Sequence, residues 1–258
     1  ELNLLCSMTA HGINPNIHTI ARICNPDYTD QVYKMQKTFA LSLTVNPEKQ
    51  AAIEIERLLK FPGFLKRDSF AKGRVEIVEL RVDERSRLCN VALSELNRVI
   101  KCRVLVCAVL RRGDVVAPDG SFVLREGDRI FVTASTESLA TLLDNLGIIT
   151  KKVNHVMICG GGRVSYYLAQ QLEKDGMTVR LIEKDPKHCE ELAALLPKTE
   201  IINDDASNTF VLKRENLESC DALVTATGMD ELNMIISLYG TKHGVSQVIT
   251  KLGHMENG

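Results

Sequence analysis

Residues 160–165 read Gly-Gly-Gly-Arg-Val-Ser, between a short apolar run, His155 to Cys159, and a stretch of helical spacing, Arg163 to Lys174. Between a strand and a helix, such glycines allow a tight turn and close approach of the main chain to a pyrophosphate. The phosphate charge is then met by the helix N-terminus. Gly160, Gly161, Gly162, Arg163 and Val164 are therefore candidates for a dinucleotide site, with a ligand-free glycine turn as the plain alternative. Ser165 stands where the pattern has Gly or Ala, which bears mainly on helix-to-strand packing. Glu183 ends the next apolar run, roughly twenty residues on, where a carboxylate can accept from both ribose hydroxyls and repel a 2′-phosphate. NAD is favoured over NADP on that ground, and the neighbouring Lys184 softens the preference. Asp205-Ala206 and Thr227-Gly228 follow the third and fourth apolar runs, at the carboxyl ends of strands, where open α/β sheets bind ligands. Asp205 is a candidate for the adenine and Thr227 for the phosphate-ribose region, and ordinary turn residues are the alternative at both.

Catalytic groups do not gather around these positions. His155, His188 and His243 fall before the first strand, on the second helix and near a helix end, so each is expected to be solvated and away from the ligand edge of the sheet. The middle of the chain shows no cluster of nucleophile, base and oxyanion donors, and Arg111-Arg112 sits in a hairpin turn where exposed charge is ordinary. The reading is of a binding protein and not an enzyme. The eight cysteines lie mostly among apolar residues without a CxxC pair, as reduced core residues with no metal site. Of 258 residues, 32 are basic and 33 acidic, for a formal net charge of -1. That balance gives no general electrostatic reason to bind nucleic acid. No run approaches the roughly 18 apolar residues that span a bilayer, so a soluble chain is expected. It opens at Glu1 without a signal-peptide pattern and is expected to be a piece of a longer protein.

The elements that must position the site form three blocks. From Val153 on, apolar runs (His155 to Cys159, Thr178 to Ile182, Glu200 to Ile202, Ala222 to Ala226) alternate with helical spacing (Arg163 to Lys174, Lys187 to Leu196, Thr209 to Asn216, and from Asp230). Such alternation predicts parallel strands with crossover helices on both faces. The middle block is β-rich at Val75 to Val82, Val104 to Leu110 and Arg129 to Thr133. A helix capped by Ser135 or Thr136 closes it and ends at Gly147, predicting a small α+β module. Lys66 to Lys72 and Thr150 to Asn154 read as polar joints. The first block predicts a helix from Glu1 to Ala10, a strand from Thr19 to Cys24, a helix after Asn25-Pro26-Asp27, and a long helix, Pro47 to Lys60, capped by Asn46 and closed by Pro62-Gly63. Its apolar residues (Ala51, Ile53, Ile55, Leu58, Leu59) suit a dimer crossover or an ordinary core helix. An internal repeat joins the ends: ELNLLCSM from Glu1 matches ELNMIISL from Glu231, and Thr19 to Ile23 matches Val248 to Leu252 at an offset one residue different. Duplication is the better account.

Taken in order, these segments resemble the Trk-type potassium-uptake regulatory subunits, the TrkA family, built from tandem RCK (regulator of K+ conductance) units. GGGRVSYYLAQQLE, IEKD and ATGMDELNMIISL resemble the family's first βα turn, ribose site and fourth-strand segment. ELNLL, TIARICNPDY and VNPEKQAAIEIERLLKFPG resemble parts of its first nucleotide unit, and VLRRGDVVAPDGSFVLREGDRIFV its small C-terminal module. The resemblance implies an α/β fold: residues 1–66 as the back half of one Rossmann-like unit, 67–150 as the C-terminal module, and 151–258 as the front part of a second unit. It implies binding of NAD or NADH, with ATP or ADP possible at the same site. The contacts would come from Gly160, Gly162, Arg163, Val164, Glu183, Thr227 and Gly228, with Arg22 at a nucleotide-contacting position in the first unit and Lys251 at its equivalent in the second. Asp204 stands where the family has Gly, adding a carboxylate near a polyanionic ligand. The implied partners are a TrkH-type potassium-translocating membrane subunit and further copies of the chain, as a dimer or tetramer. The implied location is cytoplasmic, on the inner face of the plasma membrane.

Overall fold

In the computed structural model the described residues are 2–25, 32, 34, 38–60, 66–70, 75–84, 86–146 and 153–253. The chain divides into two compact units, one of Glu1–Leu59 with Val153–Gly258 and the other of Lys60–Lys152.

The first unit is built on a parallel sheet of β8 (His155–Cys159), β9 (Thr178–Glu183), β10 (Glu200–Asn203), β11 (Ala222–Thr225) and β12 (Gln247–Thr250), in the order β10-β9-β8-β11-β12. Strand order reverses between β8 and β11, which is where doubly wound sheets open a crevice for ligands. The two central strands are apolar almost throughout, and β11 is buried at every position. Both faces are covered, so alternation with polar residues is not required. One face packs against α5 (Arg163–Lys174), whose Leu168 and Leu172 join Val156, Ile158 and Leu181 in a core cluster. Each such leucine contributes about 1.5–3 kcal/mol by leaving water. The other face packs Met157, Cys159 and Leu223 against α7 (Thr209–Arg214) and α8 (Asp230–Lys242).

The N-terminal segment folds onto this layer. α1 (Leu2–Ile13) runs a turn beyond the expected Ala10, and β1 (Ile20–Arg22) pairs in parallel with β2 (Leu43–Val45). α2 (Pro47–Lys60) keeps its predicted bounds, and Asn46 caps it by accepting from the Lys49 N–H at 2.9 Å. Part of its apolar face is used inside the chain: Ala52, Ile55 and Leu59 are buried in the cluster that holds Leu168 and Leu172, whereas Ala51 and Leu58 are exposed. The Asn46 amide donates to the Tyr167 hydroxyl at 3.0 Å, and that hydroxyl donates to the Cys24 carbonyl at 3.1 Å. Of the helix expected after Asp27 only Val32 and Lys34 are described, both helical, and the terminators Pro62-Gly63 and Gly147 lie outside the described residues.

The second unit holds β3 (Lys66–Phe70), β4 (Val75–Arg81), β5 (Leu105–Arg111), β6 (Asp114–Val116) and β7 (Arg129–Ala134), with α3 (Leu96–Ile100) and α4 (Thr136–Asn145). The sheet order is β3-β4-β7-β5-β6 and every pairing is antiparallel. Lys66 to Phe70, read as a polar joint, is instead an edge strand on β4. Its charge conceals it, because an edge strand can carry charged side chains and still complete a ladder. Asp128, only 1% exposed, accepts from Arg111 at 2.8 and 2.7 Å and from the Arg125 N–H at 2.8 Å.

Candidate functional site

A cleft of about 810 Å3 opens at the carboxyl edge of the parallel sheet, over the reversal between β8 and β11. The turn from β8 to α5 forms its floor. Gly160 has φ of +97° and donates its N–H to the Ile182 carbonyl at 2.9 Å. A Cβ there would stand 2.9 Å from the Ala226 oxygen and from the Thr227 N and Cα, so the position admits only glycine. Gly162 starts α5 in an extended conformation with no side-chain cap, and a Cβ on it would meet open space. By contrast α6 (Pro186–Leu195) is capped by Asp185 and α7 by Asn208. Among the described residues the first amides of α5 therefore lack a side-chain acceptor, an arrangement that suits an anionic group.

Glu183 ends β9 and faces this turn. Its Oε2 accepts from the Gly161 N–H at 2.7 Å and its Oε1 from the Asp185 N–H at 2.9 Å. Each carboxylate oxygen retains capacity for a further donor such as a ribose hydroxyl. On the far wall Asp205 closes its own turn by accepting from the Ser207 N–H at 2.8 Å, a bond that holds its carboxyl below the ordinary range. Asp204, the added carboxylate, accepts from the Asp205 N–H at 2.8 Å and pairs with Arg214 at 2.8 Å, and these bonds lower its pKa. The charge that stands in the family's glycine position is thus partly met within the chain.

Of the residues singled out from sequence, Gly160, Gly161, Gly162, Glu183, Asp205, Ala206, Thr227, Gly228 and Lys251 all line this cleft. Val164 is buried in the core beneath α5. Arg163 turns away from the cleft and joins Arg22 in a separate recess of about 390 Å3, with Asn3, Cys24 and Asn25. Ser165 is fully buried, and its hydroxyl has no hydrogen-bond partner among the described residues. His188 departs from expectation: placed on α6 and expected in solvent, it lines the cleft beside Gly161. Position on a helix near its N-terminus, directly after the strand that carries Glu183, was the overlooked signal.

Asn233 was also not recognised as a site residue. Wholly buried on α8, it accepts from the Thr227 N–H at 2.9 Å and the Thr227 hydroxyl at 2.7 Å. It donates to the carbonyls of Thr227 at 3.3 Å and Lys251 at 3.0 Å. One amide thus joins the two strand ends that form a wall of the cleft. The repeat carried the clue: Asn3, its counterpart in ELNLL, donates to the Arg22 carbonyl at 2.8 Å, and Arg22 is the counterpart of Lys251.

Among the described residues no group of acidic, histidine and cysteine side chains could hold a metal ion, and no helix is long and apolar enough to cross a membrane.

With this geometry described, the similarities of the chain can be placed on it. The TrkA-C domain family matches residues 77–147 and the TrkA-N domain family residues 156–257. The chain is 31% identical over 257 residues to the Trk system potassium uptake protein TrkA homolog of Archaeoglobus fulgidus, covering 99% of this chain and 58% of that protein. It is 31% identical over 254 residues to the Trk system potassium uptake protein TrkA of Haemophilus influenzae, covering 96% and 55%. To the Trk system potassium uptake protein trkA homolog 1 of Methanosarcina mazei it is 29% identical over 258 residues, covering 97% and 63%. The chain therefore spans between 55% and 63% of the length of these curated relatives. Among solved structures, the GsuK channel bound to NAD matches at a TM-score of 0.65 and 16% identity, over 99% of this chain and 44% of that one. The GsuK RCK domain matches at 0.63 and 16%, over 96% and 56%. These two share the fold.

Proposed function

Because residues 156–257 and 77–147 match the TrkA-N and TrkA-C domain families, we propose that the chain is part of the cytoplasmic, nucleotide-sensing regulatory subunit of a Trk-type potassium-uptake system. It binds NAD or NADH, with ATP or ADP as competing ligands at the same cleft, and biases the state of a potassium-translocating membrane subunit of TrkH type. Residues 1–66 form the back half of one nucleotide unit, 67–150 the C-terminal module and 151–258 the front part of the second nucleotide unit.

The observation that carries this reading is the convergence on one cleft of the Gly160–Gly162 turn, Glu183, Asp205, Thr227 and Lys251. A dinucleotide fits the donor set: the uncapped amides at the start of α5 face a pyrophosphate, and Glu183 accepts from ribose hydroxyls. Lys251, whose carbonyl is held by Asn233, adds a cation on the opposite wall. Val164 supports the turn from the core, while Arg163 and Arg22 line a separate recess.

The role is regulatory and not catalytic. A nucleotide shifts an assembly only through different affinities for its two states, and a coupling of about 1–3 kcal/mol suffices for a useful response. Assembly with further copies is supported by exposed apolar residues that recur at equivalent places of the repeat. Leu5 and Ile235 are each 61% exposed, and Met8 and Leu238 also face outward on α1 and α8. The fold shared with the GsuK channel favours a second reading, regulation of another cation channel or antiporter by the same nucleotide cleft.

Calorimetric titration of the chain with NAD, NADH and ATP, repeated on Glu183→Ala, tests the central step. Saturable binding weakened by about tenfold or more in the variant is expected, since a charge-assisted hydrogen bond contributes roughly 1.5–3 kcal/mol. Absence of binding by all three nucleotides would overturn the reading.

A further inference from the structure

One imidazole in the cleft has no part in the reading above. His188 lies in the first turn of α6 with its side chain 38% exposed. Its Nε2 is 2.8 Å from the Gly161 carbonyl oxygen, and its Nδ1 is 3.2 Å from Oε2 of Glu191. Both neighbours can only accept a hydrogen bond. A neutral imidazole carries a hydrogen on one nitrogen and a lone pair on the other. Either tautomer would therefore set a lone pair against one of these oxygens, and only the imidazolium serves both.

Resting on the nucleotide reading of this cleft, we propose that His188 clasps the glycine turn as an imidazolium and adds a positive charge beside it, so that NAD affinity falls as rising pH removes that proton.

The surroundings agree in sign. From its own helix the imidazole faces Glu191, and its main-chain N–H lies 3.4 Å from the Asp185 cap. From β9 it faces Glu183, and the opposing cations nearest in the sequence are Lys187, adjacent to it on α6, and Lys184 beside Glu183. The glycine turn brings no titratable side chain, and the remaining charges along the cleft are Asp204, Asp205, Glu231 and Lys251. Burial acts to lower the pKa of His188, but the bonds to Gly161 and Glu191 and the charges of Glu183 and Glu191 leave it raised. Proton and nucleotide are then linked reciprocally. If NAD prefers the imidazolium form, bound NAD raises the His188 pKa by the logarithm of the affinity ratio.

The turn is the part of the site that His188 holds. Gly161 offers its carbonyl to His188 and its N–H to Glu183, so the same peptide segment is gripped from α6 and from β9. Loss of the proton removes one of the few cations lining the cleft and one of the two hydrogen bonds of the imidazole, to Gly161 or to Glu191.

The test is calorimetric titration of the 258-residue chain with NAD at a series of pH values from about 5.5 to 8.5. The pyrophosphate of NAD keeps its charge throughout that range, and His188 is the only histidine lining the cleft among the described residues. Affinity is expected to fall by about fivefold or more with rising pH, within the usual span of coupling between sites. His188→Gln is expected to bind NAD with a flat pH profile near the high-pH level of the parent. His188→Arg, a permanent cation, is expected to be flat near the low-pH level. In parallel, the NMR titration of the His188 ring protons without ligand is expected to give a pKa above that of an exposed histidine. A flat profile in the parent despite saturable binding, a full pH dependence retained in His188→Gln, or an unraised ring pKa would each overturn the proposal and leave the nucleotide cleft standing. Absence of NAD binding at every pH, in the parent and both variants, would overturn both.

Discussion

Replacing Gly160 with alanine is expected to damage the fold, whereas replacing Gly162, two positions on, should damage only the site. At Gly160 the backbone has φ of +97°, a left-handed conformation that costs an L-residue about 1–2 kcal/mol. The new Cβ would also stand 2.9 Å from three main-chain atoms of Ala226 and Thr227. That segment cannot swing aside as a side chain would: the Ala226 N–H is bonded to the Cys159 carbonyl at 2.9 Å and the Thr227 N–H to Asn233 at 2.9 Å. Relieving such an overlap costs a further 1–3 kcal/mol or so. The sum is about 3 kcal/mol, a large fraction of the stability of an ordinary domain. Gly162 differs in both respects. Its φ of -63° and ψ of 177° suit any residue, and nothing lies within 4 Å of an added Cβ. Alanine there should be neutral or stabilising by about 0.4–1 kcal/mol through the unfolded chain. Its methyl group would nevertheless stand beside the first amides of α5, so NAD affinity should drop by about tenfold, or 1.4 kcal/mol. Urea unfolding followed by circular dichroism, paired with NAD titration calorimetry, separates the two effects. Unfolding of Gly160→Ala within 1 kcal/mol or so of the parent, or an equal loss of stability in both variants, would refute this account of the turn.

Asn233→Ala should cost about 3 kcal/mol in urea unfolding, because it strands the Thr227 N–H and the Lys251 carbonyl, and it should weaken NAD binding in step. Asn233→Asp at neutral pH is expected to be worse at the Lys251 contact, where a carboxylate would face a carbonyl oxygen. In the second unit, Asp128→Asn should cost about 3 kcal/mol at neutral pH by breaking the pair with Arg111. Burial acts to raise the Asp128 carboxyl, but the bonds from Arg111 and the Arg125 N–H outweigh it and leave the pKa lowered. A carboxylate with a lowered folded-state pKa contributes stability above its unfolded pKa and loses it as pH falls through the folded one. The acid limb of the stability curve should therefore be shallower in Asp128→Asn than in the parent.

The α/β half of the fold was legible because its signal is redundant. β8 and β11 are apolar almost throughout, and glycines punctuate the turn between β8 and α5. What the sequence concealed depends on partners far along the chain. Lys66 to Phe70 has no strand signature of its own and becomes a strand by pairing with β4. The face of α2 was legible, but not the fact that residues beyond position 150 bury it. In the site, glycines and the strand-end carboxylate announced themselves through type and spacing. His188 and Asn233 did not, since their importance lies in single hydrogen bonds to main-chain atoms of other elements. Arg163 shows the converse: adjacency to the glycines placed it in the motif, yet the first turn of α5 directs it to a different recess.

The charge lining the cleft limits how a polyanion could be held there. Glu183, Asp204, Asp205 and Glu231 line it against Lys184 and Lys251, with His188 as the remaining cation when protonated. Coulomb attraction by side chains therefore cannot be the main source of affinity, which must come from the main-chain amides of the turn and α5 and from ribose bonds to Glu183. Arg214 has a defined part in this balance. It lies outside the cleft lining but pairs with Asp204 at 2.8 Å and Glu215 at 2.7 Å, with its side chain 57% exposed. Arg214→Ala should leave stability nearly unchanged, as exposed pairs contribute about 0–1 kcal/mol. It should nevertheless weaken NAD binding by about threefold at low salt, by leaving the Asp204 charge uncompensated. At 0.5 M or so of NaCl, where the screening length falls to a few ångströms, the variant and parent should converge. The parent itself should change little with salt, because attraction and repulsion are nearly matched. Calorimetry at two salt concentrations decides it: a steep loss of affinity in the parent on adding salt would mean that cations hold the nucleotide, and that the amide-centred account of the cleft is wrong.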